Sequence, residues 1–221
     1  HILLEAVREY GKIEKFIHVS TDEVYGESIC QETDIKNEKS ILNPTNPYAA
    51  TKASAEMLVN SYVYSYGLPV IITRGNNVYG PRQYPEKLIP KFINLLLDDK
   101  KCTIHGEGET ERSFLYVDDV VKAFEMILSK GKIGEIYNIG TNYEYSVMEI
   151  ARRLIKLIHN CDMNEDRHFK KYIEFVEDRK YNDKRYNISF NKLLSLGWKQ
   201  ETFIDEGLKK TFEHYKKIYE K

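Results

Sequence analysis

The sequence predicts an α/β fold, in which helices pack against a parallel sheet. This prediction depends on two apolar, β-branched segments, 15–20 and 70–74, which flank a helical segment at about 48–66. Short apolar strands that alternate with helices are typical of parallel sheets. Beyond about residue 85 the chain is more irregular and more charged, which favours a smaller α/β region beside the sheet. We therefore expect one domain over 1–85 and a second over 86–221, with some later segments returning to the first.

Further elements follow the same alternation. An amphipathic segment opens the chain, Pro47 suits the first turn of the long helix, and Gly67 ends that helix. After it we expect helices at about 86–98, 117–129, 146–158 and 202–219, and strands at 102–105, 112–116 and 135–139. The segments 170–175 and 185–188 are candidate short strands.

Composition excludes several functional classes. The 221 residues carry a formal net charge of −1, which provides no electrostatic basis for binding nucleic acid or an anionic membrane. No apolar run approaches the roughly 18–20 residues that cross a bilayer, and no signal-peptide pattern is present. The widely spaced Cys30, Cys102 and Cys161 fit reduced thiols of a cytoplasmic protein, and the histidines lack metal-ligand spacing. We expect no metal.

Tyr48 and Lys52 form the strongest local pattern. Residues i and i+4 share one face of a helix, and an ammonium beside a phenol stabilises the phenolate and lowers its pKa. Such a tyrosine can take a proton from a sugar hydroxyl. With 17 tyrosines in the chain, an exposed helix pair is an equally simple interpretation.

Two further motifs stand where strands end. Ser20-Thr21-Asp22-Glu23-Val24-Tyr25-Gly26 follows the first strand, at the edge of the sheet where α/β proteins bind ligands. Its adjacent carboxyl groups can divide acid and base roles, although a capped turn with two solvated acids is the alternative. Arg74-Gly75-Asn76-Asn77-Val78-Tyr79-Gly80-Pro81 follows the next strand and, by itself, is a turn.

In this order, the three motifs resemble the extended short-chain dehydrogenase/reductase family, and Thr21-Asp22-Glu23 is similar to its nucleotide-sugar 4,6-dehydratases. The resemblance covers the whole chain, including Arg112-Ser-Phe-Leu-Tyr-Val-Asp-Asp119 and Tyr137-Asn-Ile-Gly140. It implies a Rossmann-like parallel sheet and NAD as cofactor. The family's Gly-rich phosphate loop has no counterpart here, so we expect the N-terminal part of the fold to be missing from this chain.

The resemblance also implies roles for residues. Tyr48 would deprotonate the glucose C4 hydroxyl during hydride transfer to NAD, with Lys52 lowering its pKa and Thr21 holding O4. Glu23 would then remove the C5 proton while Asp22 protonates the departing C6 hydroxyl, and the product is a 4-keto-6-deoxy sugar. The cofactor-binding residues would be Ser20, Tyr48, Lys52 and Asn76. The substrate-binding residues would be Thr21, Asn77, Lys87, Leu88, Thr103, His105, Arg112, Asn138, Arg179 and Asn182. The alternatives are surface salt bridges for the arginines and turn caps for the asparagines.

Three questions stay open at this level. The base of the substrate is thymine or uracil, so that dTDP-glucose and UDP-glucose are both candidates. A 4-epimerase or decarboxylase of the same family would share Tyr48 and Lys52 but typically lacks the Asp22-Glu23 pair, and a catalytically silent nucleotide-binding relative is the other alternative. The resemblance implies a homodimer through the Tyr48 helix, and a plain core helix is the alternative.

Overall fold

The computed structural model describes residues 1–28, 34–161, 166–178 and 183–220. These residues form two compact units. Unit 1 contains the described residues of His1–Asn76, Asp118–Asn142 and Arg185–Lys199, and unit 2 contains those of Asn77–Val117, Tyr143–Lys184 and Gln200–Lys221. Later segments thus complete the first unit; the functional boundary near residue 85 stays a prediction.

Eight strands and eight α-helices lie within the described residues. The strands are β1 Phe16–Thr21, β2 Val70–Gly75, β3 Asn77–Tyr79, β4 Cys102–His105, β5 Glu111–Tyr116, β6 Ile136–Ile139, β7 Glu144–Ser146 and β8 Ile173–Val176. The helices are α1 Ile2–Tyr10, α2 Pro47–Tyr66, α3 Leu88–Leu97, α4 Val117–Lys130, α5 Val147–His159, α6 Asp166–Tyr172, α7 Asn191–Ser195 and α8 Ile204–Tyr219. A short 3₁₀ helix covers Asp22–Tyr25.

Unit 1 is built on a parallel sheet in the order β1-β2-β6. Thr21 of β1 pairs with Gly75 of β2, and Gly75 pairs with Ile139 of β6, so the three strands end together. Helix α2 begins where Asn46 accepts a hydrogen bond from the Ala49 N–H, and it ends at Gly67, which has a φ of 66°. The apolar core between helices and sheet contains Leu4, Val7, Val59, Tyr62, Leu68, Val70 and Ile72. The predicted α/β fold with a parallel sheet is confirmed.

Unit 2 combines a three-stranded sheet, β3-β5-β7, with the parallel pair β4-β8. Helices α3, α5 and α8 pack around one apolar core with fully buried side chains such as Phe92, Ile93, Ile150 and Leu154. A capping box between Ser146 and Glu149 starts α5. A smaller α/β region therefore accompanies the sheet of unit 1.

The long elements were predicted well, whereas several short ones were not. Residues 166–172 form a helix, so the candidate strand at 170–175 is wrong in its first half. The candidate strand at 185–188 is reduced to a single bridge between Lys36 and Ile188. Strand β3 was expected to be a turn. Three-residue strands exist because a distant partner supplies hydrogen bonds, as β5 does for β3, and no local pattern contains that information.

None of the described helices has the length and hydropathy needed to span a membrane.

Candidate active site

The ends of the unit 1 strands place the predicted catalytic residues in one cluster. Ser20 and Thr21 close β1, Asp22 and Glu23 begin the 3₁₀ helix directly after it, and Asn76 follows β2. Gly26 ends this turn with a φ of 76°, and a Cβ there would lie 2.3 Å from the carbonyl oxygen of Asn43. The glycine of the motif is therefore required by both its backbone conformation and the close approach of a neighbouring chain segment.

The Asp22 carboxylate is buried and held at both oxygens. The amide of Asn76 donates to Oδ2 over 2.6 Å, and the Thr21 hydroxyl donates to Oδ1 over 3.1 Å. Asn76 in turn accepts from the N–H of Thr141 over 3.1 Å, which sets the orientation of its amide. Asn76 was predicted to bind the cofactor; in the structure its side chain orients Asp22, and the cofactor contact stays a prediction.

Glu23 has a different partner, on helix α2. The amide nitrogen of Asn46 donates to Glu23 Oε2 over 2.9 Å, while the amide oxygen of Asn46 accepts from the Ala49 N–H over 2.9 Å. The two neighbouring acids thus have separate amide donors on different elements. Asn46 was not among the predicted site residues, although an asparagine directly before Pro47 is a recognisable helix N-cap.

Tyr48 lies close to this acid pair, and its side chain is 53% exposed. The pKa of Tyr48 is raised above its ordinary value. The main cause is burial, the negative charges of Glu23 and Asp22 add to it, and a hydrogen bond with Thr21 opposes the shift. The expected lowering of this pKa by Lys52 is not found, because the Lys52 ammonium donates to the carbonyl of Val19 over 2.6 Å. The helical spacing does place Lys52 beside the end of β1.

Two buried polar atoms beside these residues have hydrogen-bonding capacity left. The hydroxyl of Ser20 and Nε2 of His18 are buried and have no hydrogen-bond partner in the part of the chain that the structure describes. Both belong to β1, the strand whose Val19 carbonyl accepts from Lys52. These atoms can bond a polar ligand that reaches the end of β1.

A buried ion pair joins helix α2 to strand β2. Arg74 donates to both oxygens of Glu56, with 2.6 Å between the closest atoms, and both side chains are almost completely buried. A second Arg74 nitrogen donates to the Tyr25 hydroxyl over 2.8 Å, and Tyr25 donates to Asn138 over 2.8 Å. Glu56 was not predicted, although it continues the four-residue spacing of Tyr48 and Lys52 along the helix.

Asn138 belongs to the same hydrogen-bond network. Its amide nitrogen donates to the carbonyl of Ser189 over 2.9 Å, its amide oxygen accepts from Tyr25, and its side chain is inaccessible to solvent. These contacts favour a structural role. Its binding of substrate stays a prediction.

Unit 2 contains a cavity of about 210 Å³. It is lined by Glu86, Leu88, Lys91, Phe92, Thr103, His105, Thr110, Arg112 and Val147. Four of the predicted substrate-binding residues are therefore brought together. Nη1 of Arg112 donates to the carbonyls of Glu111 and Lys184, which fixes the guanidinium in place.

The remaining predicted residues are distributed differently. Asn77 is exposed on β3, and Lys87 precedes α3; neither belongs to the cavity lining. Arg179 and Asn182 lie outside the described residues. Lys91, which was not predicted, donates to Thr103 Oγ1 over 3.0 Å and adds a positive charge to the lining.

Comparison with known proteins agrees with this architecture. The dTDP-D-glucose 4,6-dehydratase of Mus musculus is 54% identical over 219 residues, which are 99% of this chain and 60% of that protein. A trifunctional UDP-glucose 4,6-dehydratase/UDP-4-keto-6-deoxy-D-glucose 3,5-epimerase/UDP-4-keto-L-rhamnose-reductase of Arabidopsis thaliana is 53% identical over 97% of this chain and 31% of that protein. The chain thus spans less than two thirds of the length of these relatives.

A solved structure has the same fold. The crystal structure of dTDP-glucose 4,6-dehydratase from Bacillus anthracis in complex with NAD matches with a TM-score of 0.87 and 40% identity, over 99% of this chain and 66% of that one. The family model described as GDP-mannose 4,6 dehydratase matches residues 1–211. The chain therefore belongs to the GDP-mannose 4,6 dehydratase family.

Proposed function

We propose that this protein is an NAD-dependent nucleotide-sugar 4,6-dehydratase that converts dTDP-glucose or UDP-glucose to the 4-keto-6-deoxy sugar and water. The observation that carries the proposal is the acid pair Asp22 and Glu23, each held by its own amide donor, beside Tyr48. Elimination of water needs one group that protonates the leaving hydroxyl and another that removes a proton from the neighbouring carbon. The mouse and Arabidopsis relatives carry dehydratase names for these two substrates.

The chain's own residues can perform each proton transfer. Tyr48, as the phenolate, accepts the proton of the C4 hydroxyl, and Thr21 hydrogen-bonds the same oxygen. The resulting ketone acidifies C5, so Glu23 can remove the C5 proton. Asp22, in its protonated form, donates a proton to the C6 hydroxyl, which departs as water. The return of a proton to C5 and of the hydride to C6 then gives the 4-keto-6-deoxy sugar. The raised pKa of Tyr48 is compatible with a proton acceptor that forms only when substrate and cofactor change its surroundings.

NAD, when bound, supplies a reversible hydride acceptor. The end of β1 fits such a group, because the buried Ser20 hydroxyl has hydrogen-bonding capacity left and Lys52 is the neighbouring cation. Ser20, Tyr48, Lys52 and Asn76 would hold the cofactor. The nicotinamide and its ribose present amide and hydroxyl atoms that suit these donors and acceptors.

We further propose that the unit 2 cavity binds the nucleotide diphosphate. Its lining combines a guanidinium, an ammonium, a histidine and two threonines with the apolar Leu88 and Phe92, which suits a flat base attached to a diphosphate. Asn77, Lys87, Asn138, Arg179 and Asn182 would complete the substrate site.

The exposed apolar side chains of α2 support a homodimer. Met57 is 63% exposed, Leu58 is 36% exposed and Tyr64 is 90% exposed. A helix that leaves this much apolar surface in water gains free energy when a second subunit covers it. We propose a cytoplasmic homodimer in which α2 contributes to the contact.

The test uses the full-length protein with NAD and C4-deuterated dTDP- or UDP-glucose, followed by product mass and label position. Loss of one water with deuterium at C6 is the expected result, and the faster substrate identifies the base. Unchanged mass with inverted C4 would instead make this a 4-epimerase, and loss of the carboxyl carbon from a uronic acid substrate would make it a decarboxylase. Tight nucleotide binding with no turnover would indicate a catalytically silent nucleotide-binding relative.

A further inference from the structure

Asn46 joins Glu23 to the helix that carries Tyr48. Its amide oxygen caps α2 at the Ala49 N–H, and its amide nitrogen donates to Glu23 Oε2, each over 2.9 Å. We propose that Asn46 is a positioning residue for proton removal, which aims the Glu23 carboxylate and fixes it relative to Tyr48. This inference rests on the proposed function.

The helix start determines which way the amide points. Pro47 has no N–H and occupies the first helical position, so the first backbone donors of α2 that need an acceptor come after it. Ala49 supplies one of them, and it engages the amide oxygen of Asn46. The amide nitrogen is then left on the opposite side of the planar group, where Glu23 lies.

The residue type is specific to this double role. Asn, Asp, Ser and Thr are all good N-caps, since each offers a side-chain oxygen to the helix. Among these four, Asn alone adds a separate NH₂ donor. Asp would place a second carboxylate against Glu23, and the Ser side chain is shorter. The cap requirement alone therefore does not select Asn, whereas the contact with Glu23 does.

The chemistry benefits from a neutral donor. A hydrogen bond to one carboxylate oxygen restricts rotation of the group and leaves the second oxygen to accept a proton. A lysine or arginine in the place of Asn46 would stabilise the ionised carboxylate more strongly and weaken it as a base. Because Tyr48 is the second residue of α2, the same amide also sets the separation of the two groups that act on C4 and C5.

Two substitutions separate positioning from capping. Asn46→Asp keeps the helix cap, removes the donor and adds a repelling charge. Asn46→Ser keeps a capping oxygen and replaces the NH₂ donor by the hydroxyl of a shorter side chain, without adding charge. Ser146→Ala, at the start of α5 in unit 2, is the matched control, because it removes a cap that has no contact with the acid pair. Melting temperature is measured for all three variants.

We expect Asn46→Asp to lower kcat for dehydration by roughly 10- to 100-fold, and Asn46→Ser to lower it less, with KM and melting temperature near wild type. The deuterium isotope effect on kcat from C5-labelled substrate should increase and that from C4-labelled substrate should fall, because only proton removal from C5 is slowed. The acidic limb of the kcat–pH profile should move to higher pH in Asn46→Asp. Unchanged isotope effects in a slowed variant would overturn the proposal and leave Asn46 as a helix cap.

Crystal structures of the two variants keep this test independent of turnover. We expect the Glu23 carboxylate to leave its present position when the amide is absent. An unmoved carboxylate would overturn the positioning role. A wild-type protein that dehydrates neither substrate would refute the proposed function, while the variant structures would still decide whether Asn46 holds Glu23.

Discussion

The two units of the chain bury different kinds of side chain. Unit 2 encloses an apolar core in which Phe92, Ile93 and Leu154 are at most 1% exposed. Unit 1, which contains the candidate site, instead buries the charged Glu56 and Arg74, which are 0% and 3% exposed. Apolar burial tolerates small changes in geometry, whereas a buried charge requires a particular partner at hydrogen-bond distance. This requirement is met in unit 1, the unit where the proposed chemistry takes place.

Loss of the buried ion pair should have the largest effect. In Glu56→Gln, Arg74 keeps its charge without a carboxylate, and we expect the free energy of unfolding to fall by about 3–5 kcal/mol. The fluorescence of Trp198, the single tryptophan and a buried residue of unit 1, follows urea unfolding. Asp205→Asn, which removes an exposed partner of Arg153 in unit 2, should cost less than about 1 kcal/mol. Equal losses in the two variants would erase the contrast between the units.

Creating a new cavity in the apolar core of unit 2 should lower the free energy of unfolding slightly less, on average, than loss of the ion pair. Leu154→Ala removes a fully buried side chain from the apolar core, and we expect a loss of about 2–5 kcal/mol that depends on how far the core collapses. Alkylation of the buried Cys102 thiol during urea titration measures it, because that thiol reacts only when unit 2 opens. Ile218→Ala, at a position that is 56% exposed, is the control and should change the midpoint very little.

Cys102 also makes the apolar core sensitive to alkaline pH. Burial raises the pKa of its thiol from 9.0 to about 12. Between these values the unfolded chain loses the proton and the folded chain keeps it, so the stability contributed below pH 9 is lost as pH rises toward 12. Between pH 7.5 and pH 10.5, the free energy of unfolding of the wild type should therefore fall by about 2 kcal/mol more than that of Cys102→Ala. Parallel pH dependences of wild type and variant would show that the thiol is accessible in the folded state.

The helix cap of α5 should give the smallest effect. Ser146→Ala removes the acceptor for the Glu149 N–H, and a loss of about 1 kcal/mol is expected in the same alkylation assay. Asn46→Ser should cost still less, because a capping oxygen is retained, although it slows dehydration. A variant of unit 1 that impairs activity with almost no loss of stability would sharpen the comparison, since buried polar contacts there would then serve orientation more than folding.

Much of the fold could be predicted because the long elements repeat a simple pattern. Helix α2 was expected at 48–66 and lies at Pro47–Tyr66, since Pro47 and Gly67 mark its ends. Strand β4 lies at its predicted bounds, Cys102–His105. Strands β3 and β7 were missed because three residues contain too little periodicity, and their hydrogen bonds come from β5.

For the candidate site, the sequence predicted which residues belong to it better than it predicted the contacts that they make. Sequence reasoning selected Asp22, Glu23, Tyr48 and Lys52, and the structure gathers them at one edge of the unit 1 sheet. It did not predict that Lys52 bonds the Val19 carbonyl, because helical spacing specifies a face and leaves the rotamer of a long side chain undetermined.

The sequence by itself determined the alternation of strands and helices, the family resemblance and the order of the motifs, because these are properties of neighbouring residues. Only the tertiary structure decided that Asn76 orients Asp22, that Asn46 holds Glu23 and that Glu56 neutralises Arg74. Each of these contacts joins residues at least 18 positions apart. A buried polar group is satisfied by whichever donor the packing of helix on sheet brings within about 3 Å, and no local pattern names that donor.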